Sequence, residues 1–538
     1  MKKQTLFFLL FFFSLRPFAQ VWQWSVQVDS VISGETKDHP VAYLWIPENC
    51  KQVRGVVVGQ HNMIEEGIFE HPDFRKAMTE IGFAIVWVSP MLNMSFDFNK
   101  DAGEDFNYMM KKLADSSGYK ELAFAPVVPV GHSAAATYPW NFAAWNPERT
   151  LAVISIHGDA PQTGLTGYGG PNVTWGNRKI EGVPGLMVMG EYEWWEDRMA
   201  PGFSYVSNHP KTPITFFCDA GHGHFDYSNA LVNYLAGYIK KAAAYRLPAV
   251  MSLNKPVALK FIDPANGWLM DRWRKDSLPK AIPASYENYK GDRYFSSWCF
   301  DKELCAATER LYASARGKKQ QYIGFRENGA VMRPDKSHAA YNLTFNPEKD
   351  GVTFHVSAFF ADTTRLVAVK DHAKTRLQIN KITGPVKKIN DSTFQIAFDR
   401  VGFNNPKRSG DIWLIAENDG DPTYKSMVQQ ADLHIPVFNM EGKEQQIVFE
   451  GVTNQKEGAR SIPLQARSSA GLPVHFYVKE GPAEVLGSQL YFSKIPPRAK
   501  FPVRVTVVAW QYGSNAEPRL KSAQPVERTF YIIRTTHN

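Results

Sequence analysis

The sequence predicts an α/β domain followed by β-rich domains, and three features predict it. Short β-branched runs alternate with segments of helical spacing through the first 248 residues. One of those runs turns abruptly into a helix-compatible segment with a serine at the turn, and beyond residue 340 the pattern becomes one of short strands separated by turns. Strands alternating with helices of this length imply crossover connections and a mostly parallel sheet flanked by helices. At 538 residues and 44% apolar content, the chain is long enough for two to four domains with substantial cores.

Residues 1–20, MKKQTLFFLLFFFSLRPFAQ, carry Lys2 and Lys3, an apolar run over 6–15 and a small residue at Ala19. That is the layout of a secretory signal peptide cleaved near Ala19, so a secreted or periplasmic product without a membrane span is expected. Loss of Lys2, Lys3 and Arg16 with the leader would reduce the formal charge of +8, and the remaining charge is interspersed. No basic stripe suggests nucleic acid, whereas a mild positive balance is compatible with an acidic polysaccharide. The four cysteines, Cys50, Cys218, Cys299 and Cys305, form neither a disulfide scaffold nor a C-x-x-C zinc pair. Cys299 with Cys305 is the nearest candidate for a bridge, and buried free thiols fit equally well.

Strands are expected over 22–31 and 41–46, then a buried one at 55–59 leading into Gln60-His61-Asn62-Met63. Helical spacing over 69–81, a buried strand at 83–88 and a helix over 104–113 follow. The stretch 124–140, FAPVVPVGHSAAATYPW, then reads as strand, sharp turn and helix with Ser133 at the apex. Such a turn requires small residues two before and two after the serine, where strand and helix pass close together. Gly131 and Ala135 fill those positions, a Gly-His-Ser-Ala-Ala variant of G-x-S-x-G. Further strands are expected at 151–156, ending in His157-Gly158-Asp159, and at 185–189, ending in Gly190-Glu191-Tyr192-Glu193. The last, at 213–217, runs into a glycine-rich loop from Asp219 to Asp226 that holds His222 and His224. A helix over 230–245, capped by Asp226 or Ser228, closes the unit.

This order of elements resembles the α/β-hydrolase superfamily over about residues 41–247. The resemblance implies Ser133 as nucleophile and an oxyanion hole built from the N–H of Ala134 and that of Asn62 or Met63. It also implies an acid after the 185–189 strand and a histidine base in the last loop. Glu193 stands in the G-x-x-acid position, with Glu191, Asp197 and Asp159 as alternatives. His224, nearer the helix, is preferred to His222. Serine, acid and histidine then follow the chain order of that superfamily. The chemistry implied is an acyl-enzyme formed on Ser133 and cleared by water, with no metal or cofactor. Tyr168, Trp175 and Arg178 in a glycine-rich loop, and Trp194, Trp195 and Arg198 past the acid, are candidates for substrate contact. Aromatic faces suit sugar stacking and arginine suits a carboxylate, ordinary packing of a lid being the alternative.

Residues 21–248 are thus the expected catalytic domain and 249–440 a linker and β-rich accessory domain. The latter has an irregular stretch to about 345 with one helix over 302–315, then strands such as 351–358, 394–398 and 412–417. Residues 441–538 resemble a bacterial immunoglobulin-like β-sandwich of the cysteine-free sort. The likeness lies in IVFEGV, LQARSSAGLPVHFYVKEGPAEVLGSQLYF and FPVRVTVVAWQYG. Such modules serve as spacers or glycan-binding units. The expected activity is a secreted serine hydrolase cleaving acetyl or methyl esters on a decorated polysaccharide. A secreted serine peptidase of the same fold and a catalytically inactive glycan-binding surface protein are the alternatives.

Overall fold

The computed structural model describes residues 21–164, 166, 169–193, 195–337, 339–399 and 408–535, so the expected leader lies outside it. The first unit is built on eight strands: β1 (Trp24–Gln27), β2 (Val41–Trp45), β3 (Gly55–Gln60), β4 (Phe83–Ser89), β5 (Val127–His132), β6 (Val153–Ile156), β7 (Gly185–Gly190) and β8 (Ile214–Asp219). They lie in the order β1-β2-β4-β3-β5-β6-β7-β8. Only β2 runs against its neighbours, and every other adjacent pair is parallel. Strands β3 to β8 are buried along their whole length. This explains why they read as continuous apolar runs and not as alternating ones.

Helices α1 (Glu65–Glu70), α2 (Pro72–Ile81), α3 (Ala102–Ser117), α4 (Tyr138–Trp145), α5 (Trp195–Asn208) and α6 (Asn229–Arg246) connect the strands. The single helix expected over 69–81 is two, because Pro72 has no N–H to continue α1 and instead opens α2, where His71 caps by accepting from the Asp73 N–H. Ser228 caps α6, its Oγ accepting from the Leu231 N–H at 3.0 Å, while Asp226 is used elsewhere. Among the described residues, no helix is long and apolar enough to cross a membrane.

Packing carries the first unit past the boundary expected at residue 248. Leu269, Met270, Trp298 and Tyr312 belong to its core. Ser297 Oγ accepts from the Phe216 N–H at 2.9 Å and donates to the Phe216 carbonyl at 3.0 Å, and Tyr312 of α7 (Lys302–Ala315) accepts from the Cys218 N–H at 3.0 Å. All four cysteines are buried free thiols, the second of the two alternatives, and Cys299 and Cys305 form no bridge.

A second core gathers Phe325, Leu414, Ala431 and Leu433, between a five-stranded sheet and a three-stranded one made of Gln378–Thr383, Asp411–Asn418 and Met427–His434. A third core around Val505, Val507 and Phe530 lies in the last β-rich segment, whose Gln455–Lys456 strand pairs parallel with the final strand. That segment returns to the first unit through Arg498, which pairs with the buried Glu121 at 2.6 Å.

Candidate active site

The turn after β5 places Ser133 at φ +51°, in the left-handed region that a non-glycine residue occupies only under constraint. Close packing supplies that constraint. A Cβ on Gly131 would stand 2.0 Å from the Ala135 carbonyl oxygen, and one on Gly158 would stand 1.9 Å from Ala136 Cβ. The alanine run expected to start a helix instead forms a single 3-10 turn, Ser133–Ala135, and α4 begins only at Tyr138.

The loops after β7 and β8 bring an acid and a histidine to this serine. His224 Nδ1–H donates to Glu193 Oε2 at 2.6 Å, which leaves Nε2 to accept from Ser133 Oγ at 2.7 Å. The Gly190 N–H donates to Glu193 Oε1 at 2.7 Å, and the Tyr192 N–H donates to the His222 carbonyl at 3.0 Å, tying the two loops together. The alternatives to Glu193 and His224 are occupied or exposed. Glu191 accepts from the Gly221 N–H at 2.8 Å, Asp159 accepts from Thr137 at 2.8 Å, and Asp197 is exposed. His222 pairs with Asp226 at 2.5 Å, and Asp219 and Asp226 push its imidazole up to about 10 against the effect of burial.

A second histidine shares the acid. His157, fully buried at the end of β6 with φ +52°, donates from Nδ1 to Glu193 Oε1 at 2.6 Å. Burial would lower its imidazole, but the Glu193 charge and hydrogen bond outweigh this and raise it. Burial likewise would raise Glu193, yet the His157 charge and the hydrogen bonds from His157 and His224 hold it far below the usual carboxylate range. His224 lies below the ordinary imidazole value: burial lowers it most, and the His157 and Arg198 charges add to that against the pull of Glu193. The sequence marks His157 only as the end of a strand and gives no sign of its bond to Glu193.

The β3–α1 loop departs from the expected oxyanion arrangement. Glu65 Oε2 accepts from the N–H groups of Asn62 and Met63 at 3.2 and 2.8 Å, and Oε1 accepts from the His132 N–H at 3.0 Å. Those two loop amides are therefore taken by a buried carboxylate, which burial pushes up to about 7 despite the three donors. The Asn62 side chain is turned away as well, donating to the His132 carbonyl at 2.9 Å. Ala134 lines the space beside the serine.

That space is a chamber of about 500 Å³ whose far wall comes from the second unit: Lys381, Pro385, Asp399, Arg408 and Trp413 face Ser133, His224 and Arg198. Arg408 also hydrogen-bonds the Asn62 carbonyl. Trp413 packs on Phe225 with ring centroids 5.0 Å apart. Beneath the chamber, buried Lys425 pairs with Glu191 and Asp276, each at 2.8 Å, Gln430 donates to Asp226 at 3.2 Å, and Tyr192 donates to the Ser426 carbonyl at 2.9 Å. Both loops that carry Glu193 and His224 are thus held by residues 425–430.

The aromatic residues expected at the site are distributed differently. Trp175 is buried, donates to Asn141 Oδ1 at 2.7 Å and packs on Tyr205, so it serves the core and not the chamber. Arg178 is exposed and lies 4.8 Å over the Phe98 ring. Tyr168, Trp194 and the Trp195 side chain lie outside the described residues. No cluster of three or more metal-ligating side chains occurs among the described residues.

A parallel sheet with one reversed strand, a strained serine at the strand-to-helix turn, and a histidine and acid delivered by the last two loops define an α/β-hydrolase-like unit. No family model matches the chain, and no curated protein matches it. Solved structures similar to it include the S-formylglutathione hydrolase from Agrobacterium tumefaciens, at 13% identity over 41% of this chain and 94% of that one, with a TM-score of 0.31. A hyperthermophilic esterase from the archaeon Pyrobaculum calidifontis matches at 15% identity over 41% and 85%, with a TM-score of 0.30. Est1E from Butyrivibrio proteoclasticus matches at 15% over 41% and 99%, with a TM-score of 0.27.

Proposed function

We propose that the chain is an exported serine hydrolase of carboxylic esters, with Ser133 as nucleophile, His224 as general base and acid, and Glu193 as the orienting acid. The observation that carries the reading is the unbroken series Ser133 Oγ–His224 Nε2–Glu193, at 2.7 and 2.6 Å, on a strained turn. In the proposed reaction, His224 Nε2 takes the Ser133 proton as Oγ attacks the ester carbonyl, and the Ala134 N–H faces the oxyanion that forms. Collapse expels the alcohol, which receives that proton, and water attacks the acyl-enzyme by the same route. Glu193 keeps the Nδ1 proton in place and stabilises the imidazolium. A decorated polysaccharide is the proposed substrate, supported by the aromatic side chain of Trp413 in the chamber wall, since aromatic rings suit sugar stacking. The last β-rich segment is proposed as an immunoglobulin-like module that holds or presents the glycan.

Labelling with a fluorophosphonate and hydrolysis of p-nitrophenyl acetate test the reading. Wild type should label and turn over, and Ser133→Ala should lose the label and at least about 10⁴-fold in kcat. A wild type that neither labels nor hydrolyses aryl or sugar esters would leave glycan binding as the function. The pH profile provides a second check. Because His224 must be neutral to act and its imidazole is lowered, kcat/KM should rise with pH and reach half its plateau below about 6.5, the unperturbed imidazole value. A midpoint at or above about 7 would contradict the assignment of His224 as the base.

A further inference from the structure

Among the described residues on the chamber wall, one cation makes no hydrogen bond or ion pair. Of the charged side chains on its wall, Lys381 and Asp399 face each other at 3.8 Å, Arg408 Nε reaches Glu35 at 2.6 Å, and Asp411 takes His434 at 2.7 Å. Glu66 is engaged as well. Arg198, near the start of α5, is half-buried, opens on the same space as Ser133 and His224, and makes no hydrogen bond or ion pair among the described residues. A guanidinium is always charged and presents its donors in a planar fork that a carboxylate fits bidentately. A half-buried guanidinium that makes no hydrogen bond within the described residues keeps its donors available to a ligand that enters the chamber. Trp413 lines the same space.

We propose that Arg198 binds a carboxylate on the substrate, so that the chamber selects esters carrying an anionic group close to the scissile bond. The inference rests on Ser133 acting as the ester nucleophile. Two kinds of compound share this chemistry: acylated uronic acids, with the carboxylate on the alcohol side, and half-esters of dicarboxylic acids, with it on the acyl side. A bound carboxylate would also offset the charge that Arg198 exerts on His224, making the imidazole a stronger base when the correct substrate is present.

Matched ester pairs test this in the full chain: 4-nitrophenyl hydrogen adipate against its methyl ester, and 4-acetoxybenzoate against methyl 4-acetoxybenzoate. In at least one pair the anionic member should be favoured about tenfold or more in kcat/KM, once each value is divided by the ester's uncatalysed rate. Arg198→Gln should bring that ratio close to one, Arg198→Glu should invert it, and Arg198→Lys should keep part of it. Preference within the adipate pair places the carboxylate on the acyl side, and preference within the acetoxybenzoate pair places it on the alcohol side. Ratios near one for both pairs in wild type, or a preference that survives Arg198→Gln, would overturn the proposal. Either of those results leaves the ester reading standing provided the neutral esters are turned over in a Ser133-dependent way. Absence of turnover on all four, together with absence of fluorophosphonate labelling, would remove both.

Discussion

Exchanging Glu193 for glutamine should lower kcat on an aryl ester by about 10⁴-fold, the scale expected when the histidine of a triad is held in the wrong tautomer. The carboxylate accepts from His224 on one oxygen and from both His157 and the Gly190 N–H on the other, at 2.6, 2.6 and 2.7 Å. An amide has one accepting oxygen and one donating nitrogen, so it can serve only one of the two imidazoles in its present state. If the nitrogen faces His224, the ring must carry its proton on Nε2 and can no longer accept from Ser133. The opposite orientation would set the nitrogen against two donors, His157 and the Gly190 N–H, so the first is favoured, and in either one the fully buried His157 loses the charge that compensates it. Burst titration together with steady-state turnover measures the loss, and circular dichroism verifies the fold. Activity within tenfold of wild type would exclude Glu193 as the orienting acid.

The second large effect is expected far from the serine in sequence. Lys425 is 3% exposed and Glu191 1% exposed at the side chain, and their 2.8 Å pair is buried between the two units. Removing one partner of a buried pair leaves the other charge uncompensated and costs about 3–5 kcal/mol. Lys425→Met should accordingly lower the melting temperature by about 5–10 °C. It should also reduce kcat by about 10- to 100-fold, because Glu191 directly precedes the turn to Glu193 and fixes Gly221 ahead of His224. Pairing Lys425→Met with Glu191→Gln should recover part of both losses, since the stranded charge is gone. Scanning calorimetry and kinetics on the single and double variants check this, and an unchanged melting temperature for Lys425→Met would refute the clamp.

Legibility in the sequence followed the range of the interactions. The sheet and the turn at Ser133 are written in contiguous residues, because buried parallel strands are apolar throughout and the Gly131–Ala135 approach needs small side chains at fixed offsets. His224 and Glu193 could be singled out because each stands a few residues beyond such a strand. The chamber wall could not be read this way. Lys381, Arg408 and Trp413 reach Ser133 only through packing between units, for which no local pattern exists. Trp175 misled for a related reason: an indole in a glycine-rich loop looks available until Asn141 accepts its N–H inside the core. The loop amides of Asn62 and Met63 look like open donors in the sequence because Glu65 reads as an ordinary first-turn acid of α1, whereas its side chain folds back onto them.

The hold that residues 425–430 exert on the acid and histidine loops has a further meaning for how the molecule comes into being. A ribosome releases Ser133, Glu193 and His224 well before Lys425, and amino-terminal domains generally fold as they emerge. An amino-terminal portion folded ahead of residues 425–430 would hold the acid and histidine loops without the support those residues give. The arrangement of Ser133, Glu193 and His224 is therefore a property of the finished chain and not of its amino-terminal portion alone.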